Sequence, residues 1–312
     1  MAKKEKNRTF GSVVLGAFLR LKGKLPLSYH YFWADFFGWI LRTVRYRYDV
    51  VMINLARSFP EKKYKELKKI ASEVYRHFGE LIAEGIWYSA CKGDKGRRRL
   101  HRQNIISLAN TREFNEFFAG CPKGVMVLNS HSGNWELIGG ILNYNYDETC
   151  ALDLGPEQIA FVYKHLHSRT WDILIRHNRL GVLADLDFDG YQESGEILRY
   201  AVEHKNDKKF YLFITDQHPY KGAKGVGIGE FMHQDTKSMT GAGALAAKFG
   251  MGVVYLRWNR TRRGHYDLTL VPMFQDATGM DPAEIMKSFY KLLEEDLCKQ
   301  PFNYLWTHKR WK

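Results

Sequence analysis

The spacing of apolar residues predicts a long amphipathic helix in the first third of the chain. Ser58, Pro60 and Glu61 are residue types that start helices, and they predict where this one begins. Charged residues occupy the opposite face, so we expect the apolar face to pack on a domain. The apolar residues recur every three or four positions up to about Tyr88: Leu67, Ile70, Ala71, Val74, Phe78, Leu81 and Ile82.

After Gly124 the pattern changes to short apolar runs separated by helical segments. Predicted strands cover residues 125–128, 159–163, 210–214, 253–256 and 267–271, and predicted helices cover 168–179, 195–202 and 240–249. This alternation predicts an α/β fold, with a mixed or largely parallel sheet flanked by helices. Two Gly-containing segments, the basic residues 92–102 and the glycine-rich residues 225–229, are interpreted as loops.

Residues 29–44 form an aromatic, amphipathic segment with basic flanks. His30, Asp35 and Arg42 interrupt it, whereas a helix that spans a membrane needs ~20 mostly apolar residues. Such segments are typical of helices that lie on a membrane surface, although a buried helix of a soluble domain is the alternative. We therefore predict a membrane-associating segment at residues 1–45 and a second domain at 46–312.

The charge distribution supports this interpretation. The net charge is +13, and residues 1–50 contain ten basic residues against three acidic ones. A basic surface attracts nucleic acid, anionic lipid headgroups or acidic proteins. Because the charge is concentrated beside the aromatic segment and no nucleic-acid-binding motif is recognised, we expect no nucleic-acid partner. The apolar run 12–19 is too short for a secretory signal. The four scattered cysteines are interpreted as free thiols, without a metal site.

Candidate catalytic residues follow the predicted strand 125–128. Groups at the carboxyl ends of strands form the sites of such sheets. His131 and Glu136 flank a tight turn at Gly133-Asn134, so the carboxylate is expected to hold one imidazole nitrogen. The other nitrogen would then take a proton from an attacking hydroxyl. A histidine with a purely structural hydrogen bond is the alternative.

The same five-residue spacing occurs twice more in the chain. The pair His30 and Asp35 lies in the aromatic segment, and His167 and Asp172 lie in a predicted helix. Neither pair sits on a strand-to-helix turn, so both are interpreted as chance pairs.

Several blocks of the sequence resemble one known family. Residues 129–136, followed by Leu137-Ile138-Gly139-Gly140, resemble the His-x4-Glu block of the bacterial lipid A biosynthesis acyltransferases, the late-acting lauroyl and myristoyl transferases. Lys164 and His165 stand where those enzymes usually have Arg-Pro. Further blocks resemble the family in the same order: Asn54 to Glu61, Val162-Tyr163-Lys164 with a helix ending at Arg179, Thr215-Asp216-Gln217, and Pro301 to Trp311.

The resemblance implies a glycerol-phosphate-acyltransferase-like αβ domain at residues 46–312, with His131 and Glu136 as catalytic residues. It implies transfer of an acyl chain from an acyl carrier protein thioester to a hydroxyl of a lipid A precursor, at the cytoplasmic face of the inner membrane. The expected partners are acyl carrier protein, anionic membrane lipid and the glycolipid acceptor, without a cofactor. Candidate substrate-binding or oxyanion residues are Arg179, Asp216, Lys164 and Asn134.

The residues themselves are compatible with this chemistry. A thioester is already activated, so one base suffices, and no Gly-x-Ser-x-Gly motif indicates an acyl-serine route. Arg179 would stabilise the oxyanion or bind an acceptor phosphate, and Asp216 would orient Arg179 or the acceptor. The basic segment 92–102 is a candidate docking site for an acidic carrier, with lipid phosphate binding as its alternative.

Two other functions stay open at this point. One is acyl transfer to another membrane lipid, such as a lysophospholipid or an aminolipid. The other is a non-catalytic membrane-binding homologue, which the intact pair of His131 and Glu136 disfavours.

Overall fold

The computed structural model describes residues 9–144, 151–186, 188–220, 223 and 225–311. They form a mainly parallel sheet flanked by helices, which confirms the predicted α/β class. The helices are α1 (Phe10–Gly23), α2 (Leu27–Thr43), α3 (Tyr48–Ser58), α4 (Tyr64–Tyr88), α5 (Gly93–Gln103), α6 (Thr111–Ala119), α7 (Arg169–Arg179), α8 (Ile197–Glu203), α9 (Gly241–Phe249) and α10 (Pro282–Lys299). Short 3₁₀ helices cover Trp135–Asn143, Pro156–Gln158 and Gly181–Leu183.

The described strands build one seven-stranded sheet and one separate hairpin. The strands are β1 (Ile106–Leu108), β2 (Val125–Asn129), β3 (Ile159–Tyr163), β4 (Tyr191–Glu193), β5 (Phe210–Ile214), β6 (Gly225–Phe231), β7 (Gln234–Met239), β8 (Gly252–Arg262) and β9 (His265–Phe274). The sheet order is β1-β9-β8-β2-β5-β3-β4, and only the pair β8–β9 is antiparallel. Strand β2 therefore lies at the centre, between β8 and β5.

Both faces of β2 are buried. Met126 and Leu128 face a core cluster that includes α4, α9 and α10, whereas Val125 and Val127 face a second cluster with α6 and the 3₁₀ helix Trp135–Asn143. The sequence of a strand that is buried on both faces is an uninterrupted run of apolar residues. This is why β2, β3 and β5 could be predicted from the sequence.

The predicted start of the long helix is wrong. Ser58 ends α3, and α4 begins at Tyr64, although it does end at Tyr88 as expected. A proline disfavours the helical conformation of the residue before it, and Phe59 has an extended φ of −132°. The new helix starts where the Glu66 carboxylate accepts a hydrogen bond of 2.8 Å from the backbone N–H of Lys63.

Both predicted loops are regular structure. Residues 93–103 form α5, in which Asp94 of the first turn pairs with Arg98 at 2.6 Å and Gly96 is buried against Cys91. Residues 225–229 belong to β6, which pairs with β7 in the hairpin. The sequence did not predict α5 because most of its residues are charged, and it did not predict β6 because this strand contains several glycines. Cys91, Cys121 and Cys298 are free thiols, while Cys150 lies outside the described residues.

The N-terminal helices combine close packing with exposed aromatic residues. Gly38 of α2 meets the backbone of α4, where any side chain would collide with the Tyr75 carbonyl. The opposite side of α2 exposes Phe32 and Trp39 by 71% and 60%, and Phe10 of α1 is 87% exposed. Across the described residues, every helix falls short of the length and apolar character needed to cross a membrane.

Candidate active site

The central pair of residues lies where β2 and β5 end side by side. These strands are parallel, with Asn129 opposite Ile214, and His131 and Asp216 each follow two residues later. Imidazole Nδ1 of His131 lies 2.7 Å from Asp216 Oδ1, which also accepts the backbone N–H of His131 at 3.1 Å. The Asp216 side chain is 2% exposed and that of His131 is 17% exposed. The histidine is therefore partly exposed, with a buried carboxylate at its Nδ1.

The carboxylate of Asp216 is held in its charged form. Burial favours the neutral acid, but the charge and hydrogen bond of His131 outweigh it and keep the pKa of Asp216 below its usual value. On the other side of the ring, Nε2 lies 3.1 Å from the side-chain nitrogen of Gln217. An amide nitrogen only donates, so this network assigns the ring proton to Nδ1 and a lone pair to Nε2.

The loop that carries His131 is fixed by the C-terminal segment. Gly133 has a φ of +57°, and a Cβ there would collide with the Trp258 ring. Its N–H donates to the Asn303 side chain at 3.0 Å, and the Leu305 N–H donates to the His131 carbonyl at 3.1 Å. The C-terminal block thus supports the histidine from behind.

Glu136 contacts Arg179, and the predicted direct contact between Glu136 and His131 is wrong. The Arg179 guanidinium donates from Nε and Nη2 to the two carboxylate oxygens, each at 2.7 Å. Residue 136 lies in the first turn of a 3₁₀ helix that packs on α7, so its side chain meets the last residue of α7. Asp216 occupies the position next to Nδ1 that the sequence had suggested for Glu136.

The Arg179–Glu136 pair is mostly buried. Burial opposes charge on both groups, but their mutual attraction lowers the pKa of Glu136 and raises that of Arg179. Trp135 Nε1 donates to Glu136 at 3.0 Å, and Arg179 Nη1 donates to the Tyr191 hydroxyl at 3.2 Å. A guanidinium has five N–H donors, so two remain after these three bonds.

The other two candidates, Lys164 and Asn134, contact other residues. Lys164 follows β3, and its ammonium lies 3.3 Å from the ring centroid of Tyr220 at the sheet edge. Asn134 is buried, and its Nδ2 donates to Glu84 at 2.7 Å. The structure thus brings Asp216 to His131 and Arg179 to Glu136, while Lys164 contacts Tyr220 and the buried Asn134 contacts Glu84.

Comparison with known proteins identifies the family. The family "Bacterial lipid A biosynthesis acyltransferase" matches residues 3–312, nearly the whole chain. The chain belongs to this family. The predicted family is thereby confirmed, and the protein is an acyltransferase. No curated protein matches the chain.

Sequence reasoning missed the buried carboxylate of Glu84 in this acyltransferase. Glu84 of α4 accepts hydrogen bonds from Tyr31 of α2 at 2.8 Å, from Asn134 at 2.7 Å and from Tyr266 of β9 at 3.0 Å. Burial raises the pKa of Glu84 to about 7 against the effect of these three donors. The available signal was its position on the buried face of α4, next to Ala83 and Trp87.

Gln217 and Tyr191 were also missed as individual residues. Gln217 belongs to the block Thr215-Asp216-Gln217, but the sequence gives it no individual role. Tyr191 follows a segment without a recognisable pattern. Both bond to catalytic candidates, Gln217 to His131 and Tyr191 to Arg179. The spacings His30/Asp35 and His167/Asp172 are chance pairs, as predicted. Asp35 binds Arg263, and Asp172 binds His165.

Proposed function

We propose that this acyltransferase moves a fatty acyl chain from an acyl carrier protein thioester to a hydroxyl of a lipid A precursor, with His131 as the general base. One observation carries the proposal. Asp216 fixes Nδ1 of a partly exposed His131, and Nε2 accepts a hydrogen bond from the Gln217 amide. This is the arrangement that a base needs to receive a proton from a bound hydroxyl.

The proposed step follows from that arrangement. The acceptor hydroxyl takes the place of the Gln217 amide at Nε2 and gives its proton to His131 as its oxygen attacks the thioester carbonyl. The C–O bond forms, the tetrahedral intermediate collapses, and the C–S bond breaks. The leaving thiolate then takes the proton back from the imidazolium. Asp216 stabilises that imidazolium while it exists.

Arg179 and Glu136 have a supporting role in this proposal. A tetrahedral intermediate carries an oxyanion, which fixed cations and N–H donors stabilise. The two Arg179 donors that remain after its bonds to Glu136 and Tyr191 supply such groups. Glu136 acts as the positioning partner of Arg179, because its bidentate contact holds the guanidinium plane.

The apolar faces of α1 and α2 support a membrane location. Phe32 and Trp39 belong to the exposed aromatic side of α2, and α1 carries Arg20 and Lys22 in its last turn. Aromatic and basic residues together favour the headgroup region of an anionic bilayer. We place the protein on the inner membrane with its site facing the cytoplasm, where it meets both the acyl carrier protein and the glycolipid.

The test supplies purified protein with several substrate pairs. Donors are an acyl carrier protein thioester and the matching coenzyme A thioester, and acceptors are a lipid A precursor, a lysophospholipid and an aminolipid. Mass spectrometry should find one added acyl chain on the lipid A precursor with the carrier-linked donor. Acylation of the lysophospholipid or aminolipid alone would overturn the proposed acceptor, and acylation only from coenzyme A would overturn the proposed donor.

A further inference from the structure

A basic cavity lies outside the His131 site. It is open to solvent and has a volume of about 610 Å³ between α5 and the end of the 3₁₀ helix Trp135–Asn143. No acidic side chain occurs among the described residues of its lining. The lining residues are Lys95, Arg97, Arg98, His101, Arg102, Leu142 and Asn143.

The cations of this cavity fall into two groups. Arg97 is part of the wall, because it binds both oxygens of Asp185 at 2.7 and 2.9 Å and the Val182 carbonyl at 2.8 Å. Lys95, Arg98 and Arg102 are exposed and lie on one helical face at spacings of three and four residues. Like charges at these spacings repel each other. The pair of Arg98 with Asp94, at 2.6 Å, offsets part of this repulsion, and a bound anion would relieve the rest.

The position of α5 relates this cavity to the proposed membrane face. Arg99 donates from Nη2 to the carbonyls of Gly23 and Leu25, at 2.6 and 3.1 Å, and so ties α5 to the link between α1 and α2. On the other side, Leu142 lies six residues after Glu136 on one 3₁₀ helix. A rise of about 2 Å per residue places it roughly 12 Å from Glu136 along that axis.

We propose that this cavity binds a phosphate group on the headgroup of the glycolipid acceptor. The proposal rests on the proposed function, since it assigns part of the acceptor. The volume is that of a small-ligand site, and Arg, Lys and an Asn143 amide are donors suited to phosphate oxygens. The only large apolar residue of α5, Leu100, is buried, so the α5 side of the cavity offers mainly charge.

The location favours the acceptor over an acidic carrier protein as the source of the anion. The acceptor is a membrane lipid, and its headgroup lies at the bilayer surface that the α1–α2 link approaches. A phosphate in the cavity would hold the headgroup while an acceptor hydroxyl, a short distance away, reaches His131.

The test compares two triple variants. Lys95→Ala/Arg98→Ala/Arg102→Ala removes the exposed cations of the cavity, and Lys287→Ala/Lys291→Ala/Lys299→Ala removes three exposed cations of α10. The apparent KM is measured for the phosphorylated glycolipid and for the same glycolipid after phosphatase treatment. We expect the cavity variant to raise the KM for the phosphorylated acceptor at least tenfold, with kcat within twofold. The KM for the dephosphorylated acceptor should not change, and the α10 variant should behave as wild type.

Three results would overturn the proposal of a phosphate site. They are an unchanged KM for the phosphorylated acceptor in the cavity variant, an equal rise in KM for both acceptors, and a rise in KM that is confined to the carrier-linked donor. The last would assign the surface to carrier docking instead. Binding to detergent micelles that contain either glycolipid, measured without a donor, separates this proposal from the catalytic one. Phosphate-dependent binding that the cavity variant loses supports the site even if no acyl transfer occurs.

Discussion

The Asp216 carboxylate lies 2.7 Å from Nδ1 of His131, although 85 residues separate the two in the chain. The parallel register of β2 and β5 brings them together, because each follows its strand by two residues. A carboxylate at Nδ1 fixes the tautomer that leaves Nε2 free to accept a proton. Asp216 is therefore the direct partner of the proposed base.

Replacement of this carboxylate by an amide tests its role. In Asp216→Asn the amide nitrogen can donate to Nδ1, which would move the ring proton to Nε2 and block the base. We expect kcat for acyl transfer to fall roughly 100- to 10,000-fold with little change in the KM of either substrate. Steady-state kinetics of the purified variant measure this. A variant with near-wild-type kcat would remove Asp216 from the mechanism.

The ion pair of Glu136 and Arg179 should affect both activity and stability. Glu136→Gln removes the charge that compensates a mostly buried guanidinium, so we expect destabilisation by about 1–3 kcal/mol. The variant should also lower kcat, because Arg179 loses its fixed orientation. Arg179→Lys should lower kcat similarly, since an ammonium lacks the bidentate geometry. Urea unfolding and kinetics are measured on the same samples, and a full kcat in both variants would argue against an oxyanion role.

Stability between pH 5 and pH 8 tests the buried carboxylate of Glu84. Burial raises its pKa from 4.5 to about 7, which corresponds to roughly 3 kcal/mol. For a group with a raised folded-state pKa, the stabilisation is present below the unfolded pKa and is lost as the pH rises through about 7. Wild type should therefore lose about 2–3 kcal/mol more than Glu84→Gln between pH 5 and pH 8. Parallel pH dependences of the two proteins, from urea unfolding, would contradict this.

Vesicle binding tests the aromatic face of α2. Full burial of each large aromatic residue contributes about 1.5–3 kcal/mol, so Phe32→Glu/Trp39→Glu should weaken binding to anionic vesicles at least tenfold. Leu198→Glu/Val202→Glu is the control, because these residues are comparably apolar and exposed on α8. Sedimentation with vesicles gives both affinities. Equal binding by the two variants would show that the anchor lies elsewhere.

The sequence predicted the bounds of those elements that have one clear local pattern of apolar residues. The strands β3 and β5 have the predicted bounds, because an apolar run buried on both faces has clear ends. Helix α5 was missed because its charged residues hide a helix that Asp94 and a buried Leu100 stabilise. Local spacing indicated His131 as a site residue, and the family resemblance indicated Arg179.

The contacts of the site depend on residues far apart in the chain, and the sequence did not reveal them. The spacing of His131 and Glu136 suggested a pair, but the 3₁₀ helix turns Glu136 to α7 and the neighbouring strand supplies Asp216. The role of Glu84 depends on α2, β9 and the loop of Asn134 meeting at one buried point. Strand register and helix packing decide such contacts.

The most direct test of His131 as the general base is the rate of acyl transfer by His131→Gln. The measurement follows the acylated lipid A precursor by mass spectrometry, at saturating acyl carrier protein thioester and acceptor. His204→Gln is the matched control, because His204 also has a carboxylate next to Nδ1, with Asp207 Oδ2 at 2.6 Å, but lies at the end of α8. We expect kcat of His131→Gln to fall roughly 100- to 10,000-fold with the fold intact, while His204→Gln stays within twofold of wild type. Transfer by His131→Gln at a near-wild-type rate would contradict this role of His131.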